Sequence, residues 1–207
     1  MNISNILPSD IEARSFEIIS EELAERSIEL DPELAPIIKR CIHTSADFDY
    51  GSSLYFTDGV VDRIADAIKS GCCIVTDTQM AMAGINKTKL ALLGSEVKCF
   101  ISDSDVAMEA KERQVTRSFI SMERGAQLDK PLIYVIGNAP TALFSIMELV
   151  KAGKVNPVAV IGVPVGFVNV VESKERLIDS GIPCIVNRGR KGGSNIAACI
   201  VNAILYR

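Results

Sequence analysis

Histidine occurs once in this sequence, at position 43, and hydroxyl and carboxyl side chains follow it closely. Thr44 and Ser45 come next, and Asp47 and Asp49 lie within six residues. Imidazole exchanges its proton near neutral pH, which suits it to general acid–base chemistry. His43 is therefore the first candidate catalytic residue. The alternative interpretation is a histidine that only caps the end of its helix, where positive charge is favoured.

A basic, glycine-containing loop near the end of the chain is a candidate anion site. Its residues, in order, are Arg188, Gly189, Arg190, Lys191, Gly192, Gly193 and Ser194. Guanidinium groups bind carboxylates and phosphates well, and a helix N-terminus adds free backbone N–H groups. We expect Ser194 to cap the helix that follows, so that the loop faces an anion.

Two other loops follow predicted strands. One strand turns at Gly137-Asn138 and enters a helix with Pro140 in its first turn, which predicts free backbone N–H groups facing a crevice. The other loop, Val158–Val168, has no charged side chain and could form an apolar wall for a large planar ligand. A tight strand-to-helix turn explains either loop alone equally well, but three such loops at strand ends favour a pocket.

The elements that must position these loops alternate along the chain. Apolar residues at helical spacing predict helices from Pro8 to about Ser27, from Asp31-Pro32 to His43, and from Thr57-Asp58 to Ser70-Gly71. Continuous apolar runs predict buried strands at 72–76, 97–101, 132–136, 158–162 and 183–186. Further helices are predicted at 79–85, 105–113, 115–128, 140–152, 172–180 and 194–206. This order predicts an α/β fold, a three-layer α/β/α arrangement with a mostly parallel central sheet, in a single domain over residues 1–207.

Composition narrows the possible functions. A formal charge of −4 gives no basic field for nucleic acid, and the first residues lack the basic and apolar regions of a secretion signal. We expect a cytoplasmic globular protein without a membrane span. The six cysteines have no CxxC spacing, and with a single histidine they argue against a zinc site. A nucleotide-dependent α/β enzyme using the Gly137 or Gly162 loop is a rival hypothesis, although neither GxGxxG after the first strand nor GxxxxGK[ST] is present.

Taken together and in order, these motifs resemble the precorrin-8X methylmutase family of cobalamin biosynthesis, including its cobalt-precorrin-8 members. The resemblance covers nearly the whole chain. Its motifs are Arg14-Ser15-Phe16, His43, Thr116-Arg117-Ser118, GNAPTALF (Gly137–Phe144), PVGFV (Pro164–Val168), Glu172-Ser173-Lys174, Arg188–Ser194 and Asn202-Ala203.

The resemblance implies an isomerase that moves a methyl group between adjacent ring carbons of precorrin-8, giving hydrobyrinate, or of cobalt-precorrin-8, giving its cobyrinate counterpart. It implies that His43 is the catalytic histidine, that Ser15 and Arg40 contact the substrate, and that Arg117 is a further pocket arginine. No cofactor is implied, since cobalt, if present, belongs to the substrate. Family resemblance also implies a homodimer with the site at the subunit interface.

The substrate implied by the resemblance is a broad apolar ring fringed with carboxylates, which suits scattered arginines and loops that permit close approach. We therefore also assign substrate binding to Thr44, Arg188, Arg190, Gly192 and Gly193. The stretch after His43, Thr-Ser-Ala-Asp-Phe-Asp, resembles the cobalt-using anaerobic branch more than the aerobic one. A second rival remains, a non-catalytic corrinoid carrier that channels product to the next enzyme.

Overall fold

The computed structural model describes residues 8–207. The chain divides into two compact units, one ending at Ser53 and the other running from Leu54 to Arg207. None of the helices described between residues 8 and 207 has both the length and the hydropathy needed to span a membrane.

The first unit consists of helices. They are α1 (Pro8–Glu25), α2 (Ala35–Ser45) and the single turn α3 (Tyr50–Ser53). Helix α1 ends in a Schellman motif: Ser27 adopts a left-handed φ of 55°, and the N–H of Ile28 donates to the carbonyl of Leu23 at 2.9 Å. Helices α1 and α2 pack against each other.

The predicted start of α2 is wrong by three residues, since the N-cap is Leu34 and not Asp31. Asp31 does not cap α2; its carboxylate accepts from the N–H of Glu33, which closes a local turn before the helix. The helix begins at Ala35, and the proline in its first turn is Pro36. The predicted end is confirmed, since His43 lies in the last turn, just before Ala46 adopts a left-handed φ of 53°.

The second unit contains the sheet. In chain order its elements are β1 (Leu54–Phe56), α4 (Val60–Lys69), β2 (Cys73–Thr76), α5 (Gln79–Gly84), α6 (Lys87–Leu92), β3 (Glu96–Lys98), α7 (Ser104–Glu112), α8 (Arg117–Gly125), β4 (Leu132–Ile136), α9 (Pro140–Lys151), β5 (Ala159–Gly162), α10 (Val170–Asp179), β6 (Cys184–Asn187) and α11 (Ser194–Leu205).

The strands form one sheet in the order β1-β6-β5-β4-β2-β3. All neighbours are parallel except β1, which pairs antiparallel with β6 at the edge. Strands β2, β4, β5 and β6 are buried along their whole length, as continuous apolar runs predict. The predicted α/β class with a mostly parallel central sheet is confirmed. Three short elements, α3, β1 and α6, were not predicted, and the predicted strand at 97–101 ends at Lys98 in the structure.

Helices cover both faces of the sheet in this unit. On one face, alternate strand residues such as Tyr134 and Val160 form a core with α8, α9 and α10. The intervening strand residues, such as Ile133 and Ile161, point to the opposite face, where α11 packs against α4 and α5. The carboxyl ends of five parallel strands therefore meet at one edge, where ligands bind in open α/β sheets.

Candidate active site

The first unit presents His43 and Arg40 on one aromatic ring. The exposed imidazole of His43 stacks on Phe16 of α1, with ring centroids 5.4 Å apart and an angle of 15° between the planes. Arg40 lies one helical turn before His43, and its guanidinium carbon is 4.7 Å from the centroid of the same ring. Within residues 8–207 no hydrogen bond occupies the imidazole nitrogens, so they are open to a ligand.

Arg40 is already paired with a carboxylate. Its Nη1 donates to Oε1 of Glu12 at 2.5 Å, and this bond holds the pKa of Glu12 below its ordinary value. Glu12, Phe16 and Arg40 line an open cleft of 490 Å³ on this unit. A substrate carboxylate that binds Arg40 must therefore compete with Glu12.

Ser15 and Thr44, two more predicted site residues of the first unit, are sequence neighbours of Phe16 and His43. Ser15 precedes Phe16 in α1, is half-buried, and donates its hydroxyl to the carbonyl of Ile11 at 2.8 Å. Thr44 follows His43 and is exposed. The structure thus brings Arg40 and His43 together on Phe16, while the Ser15 hydroxyl bonds within its own helix.

In the second unit, the arginine loop (residues 188–193) packs against the apolar loop (residues 163–168). The N–H of Gly166 donates to the carbonyl of Arg190 at 3.1 Å, and the N–H of Gly193 donates to the carbonyl of Val163 at 2.9 Å. The guanidinium carbon of Arg190 lies 5.4 Å from the ring centroid of Phe167. The two loops therefore form one continuous surface.

This surface combines apolar and cationic groups. Phe167 and Val168 are about four-fifths exposed, at 81% and 77%. Arg188 and Arg190 are also exposed, although Arg188 pairs with Glu175 at 2.5 Å. Such a surface fits a flat apolar ligand with acidic substituents.

Gly192 permits the close approach of the two loops. Its φ is 153°, and a Cβ placed on it would lie 2.1 Å from the carbonyl oxygen of Val163. Any other residue would therefore push the arginine loop away from the apolar loop.

Arg117 lies at the carboxyl edge of the sheet, as do the arginine loop and the apolar loop. It is the exposed first residue of α8, directly after the N-cap Thr116. The Thr116 hydroxyl donates to the hydroxyl of Thr141, in the first turn of α9, at 3.0 Å. Arg117 therefore stands beside the loop that follows β4.

The prediction of free N–H groups in the Gly137 loop is wrong. The buried carboxylate of Asp77, directly after β2, accepts from the N–H groups of Gly137, Asn138 and Ala139 at 2.9, 2.8 and 2.7 Å. Burial raises the pKa of Asp77, while these N–H groups lower it. Because a phosphate here would meet a carboxylate, this geometry disfavours a nucleotide at the Gly137 loop.

The prediction that Ser194 caps α11 is also wrong. Gly193 occupies the N-cap position, and Ser194 is the first helical residue. Its hydroxyl lies 2.7 Å from the hydroxyl of Thr78, which itself caps α5. Ser194 therefore ties α11 to the loop after β2 and does not satisfy the N–H groups of its own helix.

Two buried charged residues were missed as functional candidates. Asp77 carries one signal in the sequence, a carboxylate immediately after a continuous apolar run. Lys174 appeared only within a longer motif, yet its side chain is fully buried and its ammonium donates to the arginine loop. In the part of the chain described here, no group of three or more His, Cys, Asp or Glu side chains is arranged to hold a metal.

The fold and these surfaces define an α/β protein whose carboxyl-edge loops present arginines beside apolar residues. The sequence model of the family described as precorrin-8X methylmutase matches residues 10–207. The cobalt-precorrin-8 methylmutase of Salmonella typhimurium is 46% identical over 203 residues, covering 96% of this chain and 95% of its own. That of Priestia megaterium is 45% identical over 199 residues, covering 96% and 88%.

Two further relatives are named for the same family. The precorrin-8X methylmutase of Pseudomonas aeruginosa is 37% identical over 193 residues, covering 92% of this chain and 91% of its own. The crystal structure of precorrin-8X methylmutase from Thermus thermophilus superposes with a TM-score of 0.84 at 34% identity, covering 95% of this chain and 96% of that one. The chain belongs to the precorrin-8X methylmutase family. It is an isomerase that shifts a methyl group within one molecule, in cobalamin biosynthesis.

Proposed function

We propose that this protein moves a methyl group between adjacent ring carbons of cobalt-precorrin-8, giving its cobyrinate counterpart. Two relatives named for the cobalt substrate share 46% and 45% identity with the chain, compared with 37% for a relative named for precorrin-8X. The residues after His43 support the same choice. Cobalt then belongs to the substrate, and the reaction consumes no oxidant or reductant because atoms and electrons balance within one molecule.

The observation that carries this proposal is the exposed imidazole of His43 stacked on Phe16 beside Arg40. The methyl group leaves one ring carbon and bonds to its neighbour, so charge must redistribute around the macrocycle. His43 lends a proton or a hydrogen bond to the ring during this step and recovers it afterwards. Phe16 holds the imidazole plane in place.

The remaining predicted residues bind the periphery of the substrate. Arg40, Arg117, Arg188 and Arg190 supply guanidinium groups for its carboxylates, and the Thr44 hydroxyl adds a polar contact. The Ser15 hydroxyl donates to the substrate only after it leaves the Ile11 carbonyl. Gly192 and Gly193 contribute to binding through the shape of the arginine loop, because Gly192 packs closely on the apolar loop and Gly193 is buried at the N-cap of α11. Phe167 and Val168 offer an apolar surface to its face. We also propose a cytoplasmic homodimer with the site at the subunit interface, as the family resemblance implies.

Turnover by purified protein tests the proposal. Cobalt-precorrin-8 and metal-free precorrin-8 are supplied separately in large molar excess, without air, and the absorption spectrum is followed. We expect many turnovers, faster with the cobalt form. A spectral change that stops at one equivalent of protein would instead indicate the corrinoid carrier, and faster conversion of the metal-free form would contradict the cobalt assignment.

A further inference from the structure

Lys174 of α10 is a buried cation without a carboxylate partner among the described residues. None of its surface is exposed, and its ammonium donates to the carbonyls of Gly189 at 2.9 Å and Lys191 at 2.8 Å. The neighbouring Glu175 pairs with Arg188 instead. Glu175 still attracts the Lys174 ammonium at longer range, but burial of an ammonium whose hydrogen bonds go only to carbonyls is costly. The cation therefore has a specific task beneath this loop.

That task is visible in the orientation of the loop backbone. The side-chain amide of Asn187 donates to the carbonyls of Arg188 at 3.3 Å and Lys191 at 2.9 Å. The carbonyl of Arg190 accepts from Gly166. Every carbonyl from residue 188 to residue 191 therefore faces a donor of the protein, while the side chains of Arg188 and Arg190 remain exposed.

We propose that Lys174 is a positioning residue: by holding the carbonyls of the arginine loop, its ammonium fixes the outward presentation of Arg188 and Arg190 to the substrate carboxylates. This role rests on the proposed function. A loop that is already ordered loses little entropy when it binds, whereas a loosened loop must be ordered by the substrate. Lys174 acts on binding, and His43 acts on the chemical step.

Limited proteolysis tests the first half of the proposal without any substrate. Trypsin cleaves after Arg188, Arg190 and Lys191, so the arginine loop carries its own reporter sites. We expect Lys174→Met to accelerate cleavage there by about tenfold, because local opening becomes easier once the Gly189 carbonyl loses its donor and the Lys191 carbonyl keeps only the Asn187 amide. Ser173→Ala is the matched control, since this buried hydroxyl bonds only to Val170 of its own helix. Equal cleavage of both variants and the native protein would overturn the proposal.

Steady-state kinetics tests the second half. We expect Lys174→Met to raise KM for cobalt-precorrin-8 by about tenfold while kcat changes less than about threefold, because ordering of the loop affects binding. Lys174→Gln keeps N–H donors without the charge and should restore part of the affinity. It also carries both readouts if Lys174→Met does not fold. An unchanged KM, or a loss confined to kcat, would overturn the positioning role. Absence of turnover in the native protein would reject the proposed function, and proteolysis would still decide whether Lys174 holds the loop.

Discussion

The loops after β4 and β6 both rest on a buried charge, but of opposite sign. Beneath the first, the Asp77 carboxylate collects three N–H groups. Beneath the second, the Lys174 ammonium collects two carbonyls. The first loop thus turns three backbone N–H groups inward, whereas the second turns its carbonyls inward and leaves Arg188 and Arg190 outside. The buried charge, more than the glycines, therefore fixes which backbone groups of each loop are directed inward.

Removal of the Asp77 carboxylate should lower the free energy of unfolding more than any other substitution considered below. We expect Asp77→Ala to lower the free energy of unfolding by about 3 kcal/mol or more, since buried N–H groups without an acceptor cost roughly 1 to 3 kcal/mol each. Asp77→Asn keeps one acceptor oxygen and should lose less. Urea denaturation measures both variants. A loss below about 1 kcal/mol for Asp77→Ala would mean that the carboxylate does not hold this loop.

Substitution of Gly192 in the arginine loop should destabilise the protein more than substitution of Gly189. Gly192→Ala places a methyl group against the carbonyl of Val163, and we expect a loss of about 2 to 3 kcal/mol together with a raised KM. Gly189→Ala is the matched control: its φ is 78°, but nothing lies within 4 Å, so only the backbone cost of about 1 kcal/mol applies. The two variants are compared by urea denaturation. Equal losses in the free energy of unfolding would show that close packing of the two loops at Gly192 does not contribute to stability.

The buried ammonium predicts a smaller, pH-dependent effect. Burial lowers the pKa of Lys174 from 10.5 to about 8. Between these values the folded chain has released this proton while the unfolded chain still holds it, so the free energy of unfolding rises with pH. The native protein should therefore gain stability relative to Lys174→Met above pH 8, by at most about 1.4 kcal/mol per pH unit.

Urea denaturation of both proteins at pH 7.5 and at pH 9.5 measures this difference. Burial raises the pKa of Cys73 to about 11, which acts in the opposite direction as pH rises. That contribution is common to both proteins and cancels in the comparison. Parallel pH curves would show that the Lys174 ammonium is not desolvated as its burial implies.

Local patterns were sufficient for much of the fold. Continuous apolar runs located β2, β4, β5 and β6, because strands buried on both faces carry apolar residues at every position. Strand β1 has only three half-buried residues and pairs antiparallel with the distant β6, so nothing local marks it. Helix α6 has six residues and depends on its cap, the Asn86 side chain that accepts from the N–H of Lys89.

The candidate site was only partly predictable, because some of the contacts that shape its loops come from residues distant in the sequence. His43 and the arginine loop are visible in the sequence because their residue types carry chemistry by themselves. The partners that decide how each loop behaves are remote: Asp77 bonds to residues about 60 positions away, and Lys174 reaches across 15 to 17 positions. Single-domain organisation over residues 1–207 and the dimeric site remain predictions.

A comparison of binding and turnover in His43→Ala tests the proposed role of the imidazole. If the imidazole takes part in the methyl shift, as we propose, the variant should bind cobalt-precorrin-8 with nearly native affinity while its turnover falls by about 100-fold or more. Substrate titration and a single-turnover spectrum, taken on the same preparation, measure both quantities. Turnover of His43→Ala at the native rate would show that the imidazole takes no part in the methyl shift.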